Sequence, residues 1–335
     1  AAGKLASRHS ASEEAVAHFK SGLALLEMLP VDAGRLRLEL DLQIGLGAAA
    51  CAAQGYASAQ GAAAYARAIA LCGQQEGSPD LFPAVWGLWA SASSRSRTGY
   101  AGALELAQQL RRMAGDDPLQ RNPVHVQQSH FALADTLYWQ GEFVTAREHL
   151  EHVGALYQPA HHENHVAGFG EDAGITSGAY LSWVLWFLGF PDQSRLVSTQ
   201  TLVLARRLGH PYSLAYALTF ATILHCRLRR PEAALILAQE TLDLANHHGF
   251  PLWQIGATVA HGWAQAMQNQ PESITTLQHC VAATRAAMGG VTLVVLEPLA
   301  DACARLGRFD DALNVHDEAL AVGSALGDHH VEAEL

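Results

Sequence analysis

Helix-forming text rich in alanine and leucine runs along the chain, cut at regular intervals by proline and glycine. Proline is tolerated in the first turn of a helix, and glycine ends the helix before it, so each mark reads as a joint. Between the joints the pattern predicts fifteen helices, near 11–28, 33–53, 57–73, 80–95, 99–114, 122–140, 142–157, 173–188, 191–208, 211–228, 231–248, 251–268, 271–287, 292–306 and 309–326. Runs of β-branched residues are short and scattered, so strands are not the framework. The short turns predict antiparallel hairpins.

The joints repeat. Leu202-x-Leu204-Ala205-x-x-x-Gly209-His210-Pro211 recurs as Leu242-x-Leu244-Ala245-x-x-x-Gly249-Phe250-Pro251, an offset of 249 − 209 = 40 residues. Pro191, Pro231 and Pro271 keep that spacing. Asp192, Glu232 and Glu272 follow them, placing a carboxylate where the helix dipole favours it. A period near 40 in helical text means stacked helix pairs. The prediction is all-α: a right-handed α-solenoid of about seven tetratricopeptide-like hairpins. The register breaks between Tyr157 and Ala173. Residues 1–30 read as an N-terminal capping or linker helix and 31–157 as irregular hairpins. Residues 158–172 read as an inserted loop, and 173–335 as regular 40-residue hairpins.

Aligning the hairpins on their turn residues, Gly141, Gly189, Arg229, Asn269 and Gly307, brings Asp135, Trp183, Ile223, Trp263 and Asp301 into one register. In a helix-pair solenoid the first helix of each pair lines the concave surface, so equivalent positions form a row along it. Phe131, Tyr138, Trp186, Tyr216 and Thr219 fall beside that row. The expected result is an aromatic groove flanked by carboxylates, suited to a protein partner, a peptide or a flat small-molecule effector. Aromatic residues at helical spacing also suit a hairpin core, and both readings stand here.

Composition narrows the partners. Half of the 335 residues are hydrophobic and 16% are charged, and the formal net charge is −11. That balance repels a phosphate backbone and argues against a nucleic-acid partner. The 18 histidines read as ordinary surface and interhelix residues, with a pH-sensing role as the other reading. Cys51, Cys72, Cys226, Cys280 and Cys303 form no CxxC pair and sit mostly in apolar helical text. That is the usage of a reducing compartment, so a cytoplasmic location is expected. The apolar run 179–190 is too short to span a membrane. No signal peptide is apparent. Ala1-Ala2-Gly3 and the end at Leu335 look like cut points, and a fragment of a longer protein is expected.

Chemistry is thin. His161 and His165 would share a helix face with Glu163 between them, which makes them weak candidates for a metal site. The HExxH pattern is absent, and Pro159 and Gly168 argue against a helix there. A polar loop that ties neighbouring hairpins together is the favoured reading. His247-His248 and His329-His330 sit at helix ends, where imidazole suits the dipole. There is no GxxxxGK[ST] and no GxSxG, and Gly45-Leu46-Gly47 does not complete a dinucleotide fingerprint. No enzyme activity and no cofactor are expected.

Several phrases carry a resemblance. They are Tyr157-x-Pro159-x-x-His162, Gly170-x-Asp172-x-Gly174, Trp183-x-x-Trp186-x-x-Gly189-x-Pro191-Asp192-Gln193, Leu208-Gly209-His210-Pro211-x-Ser213-Leu214-Ala215, His248-Gly249-Phe250-Pro251-Leu252-Trp253, Gly262-Trp263-Ala264 and Glu332-Ala333-Glu334-Leu335. Together they resemble the C-terminal tetratricopeptide-like region of large bacterial signalling ATPases. Those proteins carry a class III adenylate cyclase or protein-kinase domain, then an AAA+/STAND-type ATPase, then the helical region. The resemblance covers roughly residues 140–335. It implies a sensor or docking module that regulates upstream ATPase or cyclase domains of the same chain. His162 and Asp172 match its loop motif. Two other readings are a self-assembling structural arm and a signalling-peptide receptor. The second is weakened by the few asparagines, at 122, 164, 246, 269 and 314, most of them near helix ends or in loops.

Overall fold

The turn residues that align the hairpins share one backbone conformation. Gly141, Gly189 and Gly307 have φ of 81°, 82° and 76°, and Arg229 and Asn269 match them at 55° and 61°. This left-handed region is cheap for glycine and costs other residues about 1–2 kcal/mol. The repeat therefore imposes the turn geometry even where the sequence supplies no glycine. A second set of left-handed residues, Gly209, Gly249 and Gly327, ends the second helix of three hairpins. These are ordinary glycine terminators.

The computed structural model describes residues 2–8, 11–73, 80–93, 100–115, 122–288 and 293–330, and every regular element among them is helical. Helices α1 (Ala2–Arg8) and α2 (Ser12–Leu26) precede the stack. The next hairpins are α3 (Ala33–Gln54) with α4 (Ala59–Cys72), α5 (Leu81–Ser93) with α6 (Ala101–Ala114), and α7 (Pro123–Trp139) with α8 (Phe143–Leu156). The short helix α9 (His162–Phe169) follows. Then come α10 (Ala173–Phe187) with α11 (Pro191–Leu208), α12 (Pro211–Arg227) with α13 (Pro231–His248), α14 (Pro251–Met267) with α15 (Ser273–Met288), and α16 (Leu293–Arg305) with α17 (Phe309–Leu326). The chain is thus an all-α solenoid of seven hairpins among the described residues. The phrase Glu332-Ala333-Glu334-Leu335 lies outside them, as do the expected helix ends at 94–95, 99 and 292.

Two expectations are corrected. The segment 158–172 is not an irregular loop: Pro159–His161 form a 3-10 turn and His162–Phe169 an α-helix. Pro159 sits in the first turn of that 3-10 segment, where its missing N–H costs nothing. Gly170, at φ 75°, ends the helix. Likewise residues 1–30 hold two helices rather than one.

Inner and outer helices follow from their sequences. Helices α7, α10 and α12 are apolar or small around most of their circumference, and most of their residues are buried. A helix of that kind needs neighbours on all sides. The second helices bury one stripe and leave Leu196, Val203, Ile236 and Leu313 exposed on the outer face. First helices stack on first helices from α3 through α16. The stack curls far enough for α14 to reach back to α3. After α17 the chain turns inward. The His329 amide donates to the Trp139 carbonyl at 2.9 Å, and the His330 ring lies 4.6 Å from Trp139 and 5.2 Å from Tyr138. Among the described residues no helix is long and apolar enough to cross a membrane.

Candidate functional site

The curl encloses a cavity of about 920 Å³ whose wall draws on all seven hairpins. The α3–α4 turn contributes Tyr56, α5 contributes Trp86 and Trp89, and α7 contributes Phe131, Asp135 and Trp139. Tyr180, Trp183 and Trp186 come from α10, Tyr216 and Arg227 from α12, and Trp253 and Trp263 from α14. Asp301 on α16, His316 on α17 and Asp328 beyond it complete the wall. The inner helices place these side chains because each crosses the concave side once, and residues three and four apart share its face.

All five residues of the aligned row, Asp135, Trp183, Ile223, Trp263 and Asp301, line this one cavity. Phe131, Trp186, Tyr216 and Thr219 join them. Tyr138 does not: it is fully buried behind the wall, among Trp183, Phe187 and His330. The core reading of the aromatics also has substance. Trp183 and Trp263 are each only 2% exposed. The Trp183 ring stacks on Phe220 at 3.9 Å, and its indole N–H donates to the Phe220 carbonyl at 2.9 Å. These side chains hold the wall together and show one face to the cavity.

The polar groups divide the cavity into two ends. At one end Arg227 lies over the rings of Trp183 at 4.7 Å, Trp186 at 5.6 Å and Phe187 at 4.6 Å, and donates to the Tyr138 hydroxyl at 3.3 Å. Stacking of this kind suits the weakly hydrated guanidinium. Nearby, Asp301 accepts from Arg229 and from the Trp263 indole N–H. Both guanidinium groups there are engaged by protein groups, Arg227 by aromatic rings and a hydroxyl and Arg229 by Asp301.

The other end is different. Asp135 is 5% exposed and accepts from the Trp139 indole N–H at 3.2 Å. Burial pushes its carboxyl up to about 6, against hydrogen bonding from Tyr180 and Trp139. Glu171 is 2% exposed; its Oε2 accepts from the Tyr56 hydroxyl, while its Oε1 has no hydrogen-bond partner. Burial pushes the Glu171 carboxyl up to about 8; the bond from Tyr56 opposes this, and Asp135 and Asp172 add to it. Desolvation disfavours the charged form, and nearby like charges disfavour it further.

Helix α9 and its flanks make the floor beneath Glu171. Phe169 packs against Phe82 at 6.1 Å and Trp86 at 5.2 Å. Asp172 is fully buried and caps α10 through the amides of Gly174 at 2.9 Å and Ile175 at 3.2 Å. It also accepts from the Tyr157 hydroxyl at 3.0 Å and bonds His162 Nδ1 at 2.8 Å. His162 and Asp172 are thus a clip that ties the short helix to the next hairpin. Of the weak metal candidates, His165 is buried with its ring nitrogens engaged by Gln127 at 2.9 Å and Gln128 at 3.3 Å. Glu163 is exposed and His161 half-buried, so the three do not converge. Among the described residues no group of three or more His, Cys, Asp or Glu side chains could hold a metal ion.

Sequence reasoning missed Tyr56, Trp86, Trp89, Glu171 and Arg227. Trp86 and Trp89 sit three apart on a helix and so share a face, a signal available in the sequence. Glu171 offers none, because an acidic residue before a helix ordinarily reads as solvated.

No family model matches this chain, and no curated protein does. Among solved structures the chain is similar to a Rap protein complexed with competence and sporulation factor. The two share 9% identity over 96% of this chain and 95% of that chain, with a TM-score of 0.58. At that identity the likeness shows the fold alone, a tetratricopeptide-like stack of helix hairpins.

Proposed function

We propose that this chain is a non-catalytic sensor module that binds a peptide, or a ligand of similar shape, inside the curled stack. The observation that carries the reading is the origin of the cavity wall. Tyr56, Trp253 and Asp328 come from opposite ends of the chain, so one occupant touches the first, sixth and last hairpins together. The volume stands at the upper end of the ~300–1,000 Å³ usual for ligand sites. The solved structure of a Rap protein complexed with competence and sporulation factor supports a helical stack of this shape as a ligand binder. An occupant shifts the curvature of the stack only by binding one curvature more tightly than another. In the full form of the proposal, that bias passes to an ATPase or cyclase domain of the same chain.

The test is affinity selection from a random peptide library, using the wild-type chain and an Ile223→Trp variant whose larger side chain narrows the cavity. Peptides retained by the wild type alone, and raising its melting temperature, support the reading. Equal retention by the two proteins places binding elsewhere and sinks it.

A further inference from the structure

We propose that Glu171 and Asp135, with the surrounding rings of Trp86, Phe131 and Tyr216, form a cation subsite that seats an ammonium group of the ligand. This deepens the proposed function and rests on the cavity being the binding site. The first observation is an unmet acceptor. Glu171 is 98% buried by exposure, one carboxylate oxygen is held by Tyr56, and the other faces no donor. A buried polar atom without a partner costs stability unless something supplies the missing bond.

The second observation is the pairing pattern of the two ends. The guanidinium groups that line the cavity, those of Arg227 and Arg229, are committed to Trp183 and Phe187 and to Asp301. The charged groups that raise Glu171 are Asp135 and Asp172, both acidic. Two carboxyl groups therefore share a desolvated wall, and the cation that would balance them has to arrive from outside. Buried charges are paired in proteins, and an unpaired carboxylate takes up a proton instead. The raised Glu171 is that proton acting as a placeholder.

The third observation is the lining. Trp86, Trp89, Phe131, Tyr180 and Tyr216 crowd this end. Aromatic faces attract cations, and more strongly when water is excluded. A carboxylate pair inside such a ring selects an ammonium over an alcohol of the same shape and repels a carboxylate. The ammonium could be the free amino terminus of a peptide or a small free amine; the chemistry is shared.

Binding exchanges charge simply. The ammonium arrives protonated, Glu171 gives its proton to solvent, and an ion pair replaces the neutral acid. The titratable groups facing Glu171 are Tyr56, Tyr65, Asp135, Asp172, Tyr212 and Tyr216. The tyrosines among them are raised by burial and stay neutral, so proton release reports the two carboxyl groups.

The experiment is calorimetric titration of the full chain at neutral pH with phenethylamine, phenylethanol and 3-phenylpropionate. Diphenylalanine amide, free and N-acetylated, is titrated alongside. Charge-assisted pairing predicts amine over alcohol by about tenfold or more, and no binding of the acid. Glu171→Gln removes that preference while leaving the alcohol unchanged. Glu163→Gln, the same charge change on the outer side of α9, keeps it. Preference for the free over the acetylated peptide amide marks a peptide terminus, and preference for phenethylamine over both marks a small amine. Equal affinity for amine and alcohol, or a Glu171→Gln variant that keeps the preference, overturns the subsite and leaves the cavity reading standing. Failure of every probe, with library peptides bound equally by Ile223→Trp, overturns both.

Discussion

Trp263 donates its indole N–H to Asp301 Oδ2 at 2.5 Å, across 38 residues of sequence. The two occupy the same position in successive hairpins. The row predicted from the repeat therefore carries a direct contact between its last two members, and Arg229 braces it by pairing with Asp301 and lying 5.9 Å over the Trp263 ring. Asp301→Ala leaves a buried indole N–H and a guanidinium without their acceptor. It is expected to cost about 1–3 kcal/mol and to red-shift Trp263 emission. Urea unfolding and fluorescence check this. An alanine variant as stable as the wild type would mean the contact adds nothing.

Asp172 serves four groups at once: two amides at the start of α10, the Tyr157 hydroxyl and the His162 ring. Asp172→Ala removes a helix cap and strands a half-buried hydroxyl. The two losses together are expected to cost about 3 kcal/mol. Asp172→Asn keeps an acceptor for the cap and should cost less than half of that. Denaturant midpoints for the pair decide it, and equal losses would show that charge, not capping, carries the effect.

Asn269 occupies the left-handed turn that glycine holds in the hairpins at Gly141, Gly189 and Gly307. Asparagine tolerates that region; a β-branched residue does not. Asn269→Gly is expected to change stability by well under 1 kcal/mol, whereas Asn269→Val should cost about 1–2 kcal/mol. Thermal unfolding of the two variants checks the order. A valine variant equal to glycine would show that the turn is free to change its backbone conformation.

The sequence made the period legible because proline and glycine mark every joint, and the period was enough to register Asp135 with Trp183 and Asp301. It also indicated which helices face inward, because the first helix of each pair lines the concave side of such a stack. The second end of the cavity was hidden for physical reasons. Glu171 is buried only in the folded stack, where α9 packs against α5 and α1 just before it and Tyr56, 115 residues away, closes over it. Nothing local distinguishes it from Asp192 or Glu232 at the exposed helix starts. The short helix itself was masked by Pro159, which stands in the turn preceding it and reads from sequence as a breaker. Tyr138 shows the converse limit. Its spacing suits the groove, yet the C-terminal return of His330 seals it behind the wall.

Stability should peak near neutral pH, for two opposing reasons. Burial lowers His125, His165 and His210 to about 4 from the ordinary 6.5. Burial also lowers His149, His225 and His248. The unfolded chain binds these protons first, so the stability that neutral imidazole contributes is present above 6.5 and lost as pH falls toward 4. Glu171, raised to about 8, has the opposite sign. Its folded form holds a proton that the unfolded form has released, so its contribution is full below the ordinary 4.5 and lost as pH rises through about 8. Asp135, raised to about 6, has the same sign, but its contribution is lost by about pH 6, on the acid side. Histidines outnumber the carboxyls, so the acid side falls despite them. Denaturant midpoints measured across pH should therefore decline on both sides of neutrality. Glu171→Gln should flatten the alkaline decline and leave the acid one in place. An alkaline limb unchanged in that variant would show that Glu171 is ionised in the folded chain at neutral pH.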